Sequence, residues 1–465
     1  MTSAEATPAI EPEAVERMAH DTAFLGHPKG LGYLGFVEGC ERFSYYSMQT
    51  LLVLYMTNYL LLPAHSGGVI GLPAIESFYG LSGQPLASRI FGNYTSLVYL
   101  TPILGGILAD RWLGRRAALI AGGLVMSLGH FLMAIESMFF FALLSLIVGV
   151  GLFKGNIASQ VGELYGENDN RRAMAFQIFY IFINVSVIVA PLTAGSLGQD
   201  PNWGWHYGFG LAGVVMVIGL LIYLKALPWL PADNIRKGAG AAPREKVRPE
   251  EWPRLIALLL LVPVLGVALL TNQEIFNAYL VWADQKFTLT LFGIQMYSSW
   301  MITIDAAVSF SMLVAVAAFW AYVGKRTGKE PDELGKMIIG SGFTVAGGLC
   351  LYMGAVTAGD GKVTMFWPLM FHLLNSIGFA HILPVSLALF TKLAPRALNA
   401  TVVGIYYLAF VLANYVVGEI GGWYSSMDTA SFWLVHVASA AVGLVAFVLF
   451  KLIYGRQIAA HTAAS

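Results

Sequence analysis

The sequence predicts an all-α integral membrane protein, and three observations carry that reading. Apolar residues make up 57% of the 465 and charged residues only 12%, about half the roughly 25% of a soluble domain. Mean hydropathy is +0.67. The apolar residues also gather in runs of about 20, the length an α-helix needs to cross roughly 30 Å of hydrocarbon. Runs such as 117–135 and 255–270 are apolar all round, whereas the strands of a spanning barrel alternate apolar and polar positions over about ten residues. The spans are therefore helices. With 27 Lys and Arg against 27 Asp and Glu, no net charge points to nucleic acid, and the placement of charge carries the information instead.

Taken in order, residues 1–28 contain Glu5, Glu11, Glu13, Glu16 and Asp21 without a continuous apolar core behind a basic start, so they read as a polar cytoplasmic tail and not as a signal peptide. About twelve candidate transmembrane helices follow, near 29–58, 89–109, 117–137, 139–162, 173–197, 204–226, 254–281, 292–323, 336–357, 364–391, 397–422 and 430–453. Short cytoplasmic loops collect Lys and Arg. With both termini cytoplasmic, Arg17, Arg111, Arg115, Arg116, Arg171, Arg172, Arg236, Lys237, Arg244, Lys246, Lys325, Arg326, Lys392, Arg396 and the other basic residues fall inside. Only Arg89, Lys286 and Lys362 lie at the outer side, and Arg42 and Lys154 lie within helices. An odd number of spans would scramble that pattern.

The stretch 227–253 is rich in Pro, Gly and alternating charge, and reads as a cytoplasmic linker. It separates a six-helix bundle at 29–226 from a second at 254–453, with a cytoplasmic tail at 454–465. Two six-helix bundles joined by a solvated linker are the layout of the major facilitator fold, in which substrate binds near the midplane between rocking halves.

A charge at mid-membrane costs a few kcal/mol on insertion scales, so each needs a partner, a watery cavity or a task. The first helix carries Glu38, Glu41 and Arg42 at steps of three and four, hence on one face, with Tyr45 and Tyr46 one turn on. Three ionisable groups with two tyrosines exceed what a structural ion pair requires. Lys154, mid-segment in the fourth span beside Gly155, needs an anion. Arg42 as a fork and Lys154 as a point charge suit a substrate with a carboxylate end. The second half supplies Glu274, Asp305 and Glu419, with no Lys or Arg inside its spans away from their ends. A zwitterion held by its carboxylate on the basic half and its ammonium on the acidic half fits both.

Other residues carry less of the argument. His130, His206, His372, His381 and His436 lack metal-like spacing and read as packed or interfacial, His381 alone being a candidate for proton handling. Cys40 and Cys350 read as packing residues. No metal or cofactor is expected, and Trp203, Trp205, Trp423 and Trp433 sit near span boundaries as interfacial anchors.

The motif Glu38-x-x-Glu41-Arg42-Phe43-x-Tyr45-Tyr46 resembles the helix-one signature of the proton-coupled oligopeptide transporter family, a family within the major facilitator superfamily, in its bacterial form. Further matches run from Tyr99 to Gly106, from Ala109 to Arg116, through Phe153-Lys154-x-Asn156, from Phe179 to Asn184 and from Thr391 to Pro395. The resemblance implies that Glu38, Glu41 and Arg42 form the proton-linked cluster with Lys154 as partner. It also implies that Tyr45, Tyr46, Tyr99 and Asn184 line a pocket for di- and tripeptides. The second half departs from the family. The acidic residue of helix seven stands as Asn272-Gln273-Glu274, Asp305 replaces a usual asparagine, and Phe379 stands where many relatives carry the glutamate that clamps the peptide ammonium. Asp305 is expected to take over that clamp, with Glu419 as the alternative, and Glu274 to share in proton coupling. The linker is too short for the two extra spans of many bacterial relatives.

The expected function is proton-driven import of di- and tripeptides by alternating access, in a monomer of the inner membrane whose partners are small peptides, protons and the lipid bilayer. A symporter for an amino acid or nitrate is the alternative within the same fold. A membrane-embedded enzyme or receptor would need a nucleophile–base pair, a metal cluster or a soluble sensor domain, and the sequence offers none.

Overall fold

The computed structural model describes residues 21–166, 169–233, 248–395 and 398–464. Residues 1–20 of the expected tail, including Arg17, lie outside it, as do linker residues 234–247, with Arg236, Lys237, Arg244 and Lys246, and Arg396. The long helices are α1 (Lys29–Tyr55), α2 (Gly83–Leu108), α3 (Arg115–Leu132), α4 (Phe139–Glu163), α5 (Arg171–Ala190), α6 (Trp205–Ala226), α7 (Trp252–Ala268), α8 (Trp300–Thr327), α9 (Glu333–Ala358), α10 (Phe366–Leu393), α11 (Asn399–Gly421) and α12 (Thr429–Ala464).

Among the described residues, eight helices are long and apolar enough to cross a membrane, and a bent pair raises the number to nine. The eight are α4 to α6 and α8 to α12, and the pair joins α7 to Leu270–Phe276 at 48°. The first three helices are not among them, and in two of these charge lowers the mean hydropathy. Glu38, Glu41 and Arg42 interrupt α1, while α3, at 18 residues, has no stretch that avoids Arg115 and Arg116. Large apolar side chains such as Leu144, Leu221, Val314, Val442 and Leu452 point outward, as a helix surrounded by hydrocarbon requires.

Two expected spans differ in detail. The segment expected as one helix over 254–281 breaks after Ala268 into Leu270–Gln273, a 3-10 turn at Glu274–Phe276 and a further helix at Ala278–Lys286. Asn277, with ψ of −116°, takes the chain out of helical geometry at that junction. The span expected to begin at 292 begins at Trp300 instead, because a two-stranded hairpin, β1 (Thr290–Leu291) and β2 (Ile294–Gln295), turns through Phe292 and Gly293 with positive φ. Asp332 caps α9 by accepting the Gly335 amide at 2.9 Å, and Gly328, at φ of +66°, ends α8.

The chain forms two compact units that cut across the sequence halves. One comprises the described parts of Met1–Met48, Thr101–Ala190 and His206–Gly240; the other comprises those of Gln49–Leu100, Pro191–Trp205 and Ala241–Ser465. In the first unit α3 packs on α4, where a Cβ on Gly122 would stand 2.8 Å from the Gly149 carbonyl oxygen. In the second, α9 packs on α10 and α12, and α8 packs on α10.

Candidate functional site

In the first unit α1 is held by backbone approaches that only small residues permit. Ser186 of α5 donates to the Gly39 carbonyl at 2.8 Å, and Ser44 donates to the Ala212 carbonyl of α6 at 2.6 Å. Cys40 is buried against Gly219. Pinned on these sides, α1 presents its charged residues in the register expected from their spacing. Arg42 Nε lies 3.1 Å from Glu38 Oε1 and is also bonded to Glu41 Oε2. All three are buried, Glu41 at 0% exposure.

Burying a charge costs several kcal/mol unless it is paired, and one guanidinium here meets two carboxylates. Glu38 Oε2, Glu41 Oε1 and Arg42 Nη2 are buried without a hydrogen-bond partner among the described residues. The cluster therefore keeps donor and acceptor capacity in reserve. Lys154, from α4, approaches the same group through an aromatic ring. Its Nζ lies 5.7 Å from the Tyr45 centroid, while the Arg42 guanidinium carbon lies 5.1 Å from that centroid. Both cations thus share the electron-rich ring of Tyr45, and Tyr46 meets Tyr45 edge-on at 5.0 Å. The structure brings Glu38, Glu41, Arg42, Tyr45, Tyr46 and Lys154 together. Asn184 is half-buried on α5, and its amide donates to the Tyr180 carbonyl at 2.8 Å.

The second unit holds the remaining candidates. Asp305 accepts from His372 Nδ1 at 2.9 Å, and the opposite ring nitrogen stands 2.7 Å from the Tyr279 hydroxyl. One turn along, Ser309 meets Ser376 at 2.8 Å, so α8 and α10 face each other through two polar rungs at i and i+4. Asp305 keeps 13% side-chain exposure while His372 has none. Glu274 is fully buried, with Oε1 accepting the Ala278 amide at 3.0 Å and Oε2 lying 3.4 Å from His436 Nε2. Tyr99 stacks on Phe410 at 5.0 Å and 19°. Glu419 pairs with Arg89.

His372 and His436, expected as packed residues, are each engaged with a carboxylate. The spacing held one usable signal, because His372 and Phe379 are seven residues apart and share a helix face. His381 is satisfied as a packed residue: its Nδ1 donates to the Ile377 carbonyl at 2.8 Å, and its Nε2 accepts from Trp320 at 3.0 Å. A groove of about 640 Å³ between Asn93, Val262 and Tyr415 contains none of the candidate residues.

Membrane-crossing helices that bury an ion-pair cluster and carboxylate–histidine pairs carry the ionisable groups that mark substrate and ion pathways in membrane transporters. The model of the Major Facilitator Superfamily matches residues 36–418. The chain is 30% identical to a Yersinia enterocolitica protein described as peptide transporter YePEPT, over 86% of this chain and 88% of that one. It is 26% identical to a di-/tripeptide transporter of Lactococcus lactis, over 93% and 97%. A crystal structure of a variant of peptide transporter POT in complex with alafosfalin superposes with a TM-score of 0.84 at 25% identity, covering 97% of this chain and 99% of that one. The chain belongs to the proton-coupled oligopeptide transporter family of the Major Facilitator Superfamily.

Proposed function

We propose that this protein imports di- and tripeptides across the inner membrane by proton-coupled symport and alternating access, as a monomer of twelve spans with cytoplasmic termini. The observation that carries the reading is the buried Glu38–Arg42–Glu41 cluster, which shares the Tyr45 ring with Lys154. One guanidinium faced by two carboxylates can exchange partners. When a peptide carboxylate takes up Arg42 or Lys154, a glutamate loses its counter-charge and its proton affinity rises; when a proton neutralises a glutamate, the cations are released for the peptide. Binding and protonation are thus linked through the same few atoms.

The peptide ammonium is assigned to Asp305, whose orientation is fixed by the His372 N–H. Glu274 is assigned to the proton path, and Tyr45, Tyr46, Tyr99 and Asn184 to the peptide pocket, where rings accept varied side chains and polar tips bond the backbone. Each proton moving with the field gains about 2.3 kcal/mol per 100 mV, enough for roughly fiftyfold accumulation of a neutral substrate.

Uptake of labelled dialanine into proteoliposomes, with and without an inward proton gradient and inside-negative potential, tests the reading. Gradient-driven uptake blocked by tripeptides but not by amino acids or nitrate is expected. Absence of peptide uptake alongside driven uptake of an amino acid or nitrate would overturn the substrate class.

A further inference from the structure

We propose that Glu274 and His436 hold one proton between them, so that the pair is a second proton-binding site built from none of the α1 residues. The inference deepens the proton coupling proposed above and rests on it for its role in transport, but the shared proton itself follows from hydrogen-bond bookkeeping.

His436 lies on α12, and its Nδ1 stands 3.1 Å from the Phe432 carbonyl oxygen, one turn back along the helix. A carbonyl can only accept, so Nδ1 carries a hydrogen in either charge state of the ring. In the neutral imidazole Nε2 is therefore a bare lone pair. That lone pair lies 3.4 Å from Glu274 Oε2. Both atoms are buried, and neither has a hydrogen-bond partner among the described residues. Without a proton, a carboxylate oxygen and an imidazole lone pair would confront each other in a fully buried site, two acceptors with no donor bonded to either among the described residues. One proton removes the conflict. On Oε2 it is donated to Nε2; on Nε2 it makes an imidazolium facing a carboxylate. Transfer between the two atoms leaves the total charge of the pair unchanged, and low dielectric favours the neutral form, with the proton on the carboxyl group.

Among the described residues, the charged groups on neighbouring elements are engaged elsewhere. Glu419, on the helix packed beside the pair, is engaged by Arg89. On α10, His372 is taken up by Asp305 and Tyr279. The charged residue of α7, Arg254, stands near its start. Trp433, a turn before His436, is buried and does not titrate. Gly421 completes the enclosure, because a Cβ there would stand 2.9 Å from Glu274 Oε1. The site also sits where the helix breaks, at the 3-10 turn Glu274–Phe276, so a change in its protonation acts on the least regular backbone of that span.

Infrared spectroscopy of the whole protein in lipid reads the proton directly. At neutral pH a protonated-carboxyl band is expected that Glu274→Gln removes and His436→Phe shifts, with His436→Gln as the gentler replacement should the larger ring disturb packing. A band identical in wild type and Glu274→Gln would overturn the proposal. Transport separates the shared proton from its role in coupling: in His436→Phe, gradient-driven accumulation is expected to fall tenfold or more while counterflow persists. A shifted band with unchanged accumulation supports the shared proton and removes the pair from coupling.

Discussion

His372 Nδ1 lies 2.9 Å from Asp305 Oδ1. Because the far nitrogen of that ring meets the Tyr279 hydroxyl at 2.7 Å, the imidazole is oriented at both ends and can present the carboxylate in one geometry. Charge-assisted hydrogen bonds contribute about 1.5–3 kcal/mol. If Asp305 receives the peptide ammonium, Asp305→Asn raises the Km for dialanine by roughly 30-fold, while an N-acetylated dipeptide, which has no ammonium, is affected far less. Equal losses for both peptides, or none for either, would sink the assignment.

Replacing Glu38 or Glu41 by glutamine removes a protonatable group but keeps its size. Arg42 loses one of its two carboxylate partners, and accumulation against a gradient is expected to vanish while counterflow exchange continues. Retained accumulation in both single variants would place the coupling proton elsewhere.

Arg89 and Glu419 form an ion pair, half-buried, between α2 and α11. Partly exposed pairs contribute about 1 kcal/mol or less, so Arg89→Glu and Glu419→Arg should each slow transport and lower the thermal midpoint modestly. The double swap should recover most of the loss; a double variant as impaired as the sum of its parts argues that the charges act independently.

The same seam brings Gly92 and Gly418 together: a Cβ on Gly418 would stand 2.9 Å from the Gly92 Cα and 3.1 Å from the Ser88 carbonyl oxygen. Backbone cannot yield as a side chain can, so Gly418→Ala is expected to cost about 1–3 kcal/mol. Gly106, in the same helix α2 as Gly92, meets nothing within 4 Å, and Gly106→Ala should be neutral or slightly stabilising through helix propensity. Thermal unfolding in detergent ranks the two.

Just ahead of α5, both oxygens of Asp169 accept from Arg171, the first residue of that helix, the shortest of these bonds being 2.8 Å, and they hold the Asp169 carboxyl below its ordinary pKa. A carboxyl whose folded pKa is depressed contributes stability above its unfolded value, about 3.9, and loses it as pH falls through the lower folded value. Arg171 also donates to the Asp21 and Gly26 carbonyls that precede α1. Arg171→Gln should therefore destabilise the protein at neutral pH and flatten the acid limb of unfolding midpoint against pH. An unchanged acid limb would show that the clamp is not linked to folding.

Much of the α1 site is legible in the sequence, since i, i+3 and i+4 spacing alone puts Glu38, Glu41 and Arg42 on one face, and the structure keeps that register. Lys154 is legible as a charge needing company, but its meeting with Arg42 over one tyrosine ring is not. The histidines differ from expectation for a similar reason. His372 and His436 carry no local pattern, and their roles arise from Asp305 and Glu274, 67 and 162 positions away in the chain. The break in the seventh span is equally hidden, because hydropathy averages over a window that a single distorted residue such as Asn277 does not disturb.

The sequence by itself determined the helical membrane class, the placement of charge and the composition of the α1 cluster. These depend on hydrophobic run length and helix periodicity, both local along the chain. Only the tertiary structure decided which carboxylate meets which histidine, that Arg89 answers Glu419, and where glycine backbones touch. Those pairings form between helices distant in sequence, where a polar group that its own helix leaves unsatisfied can find a partner only on another, because the surrounding hydrocarbon supplies none.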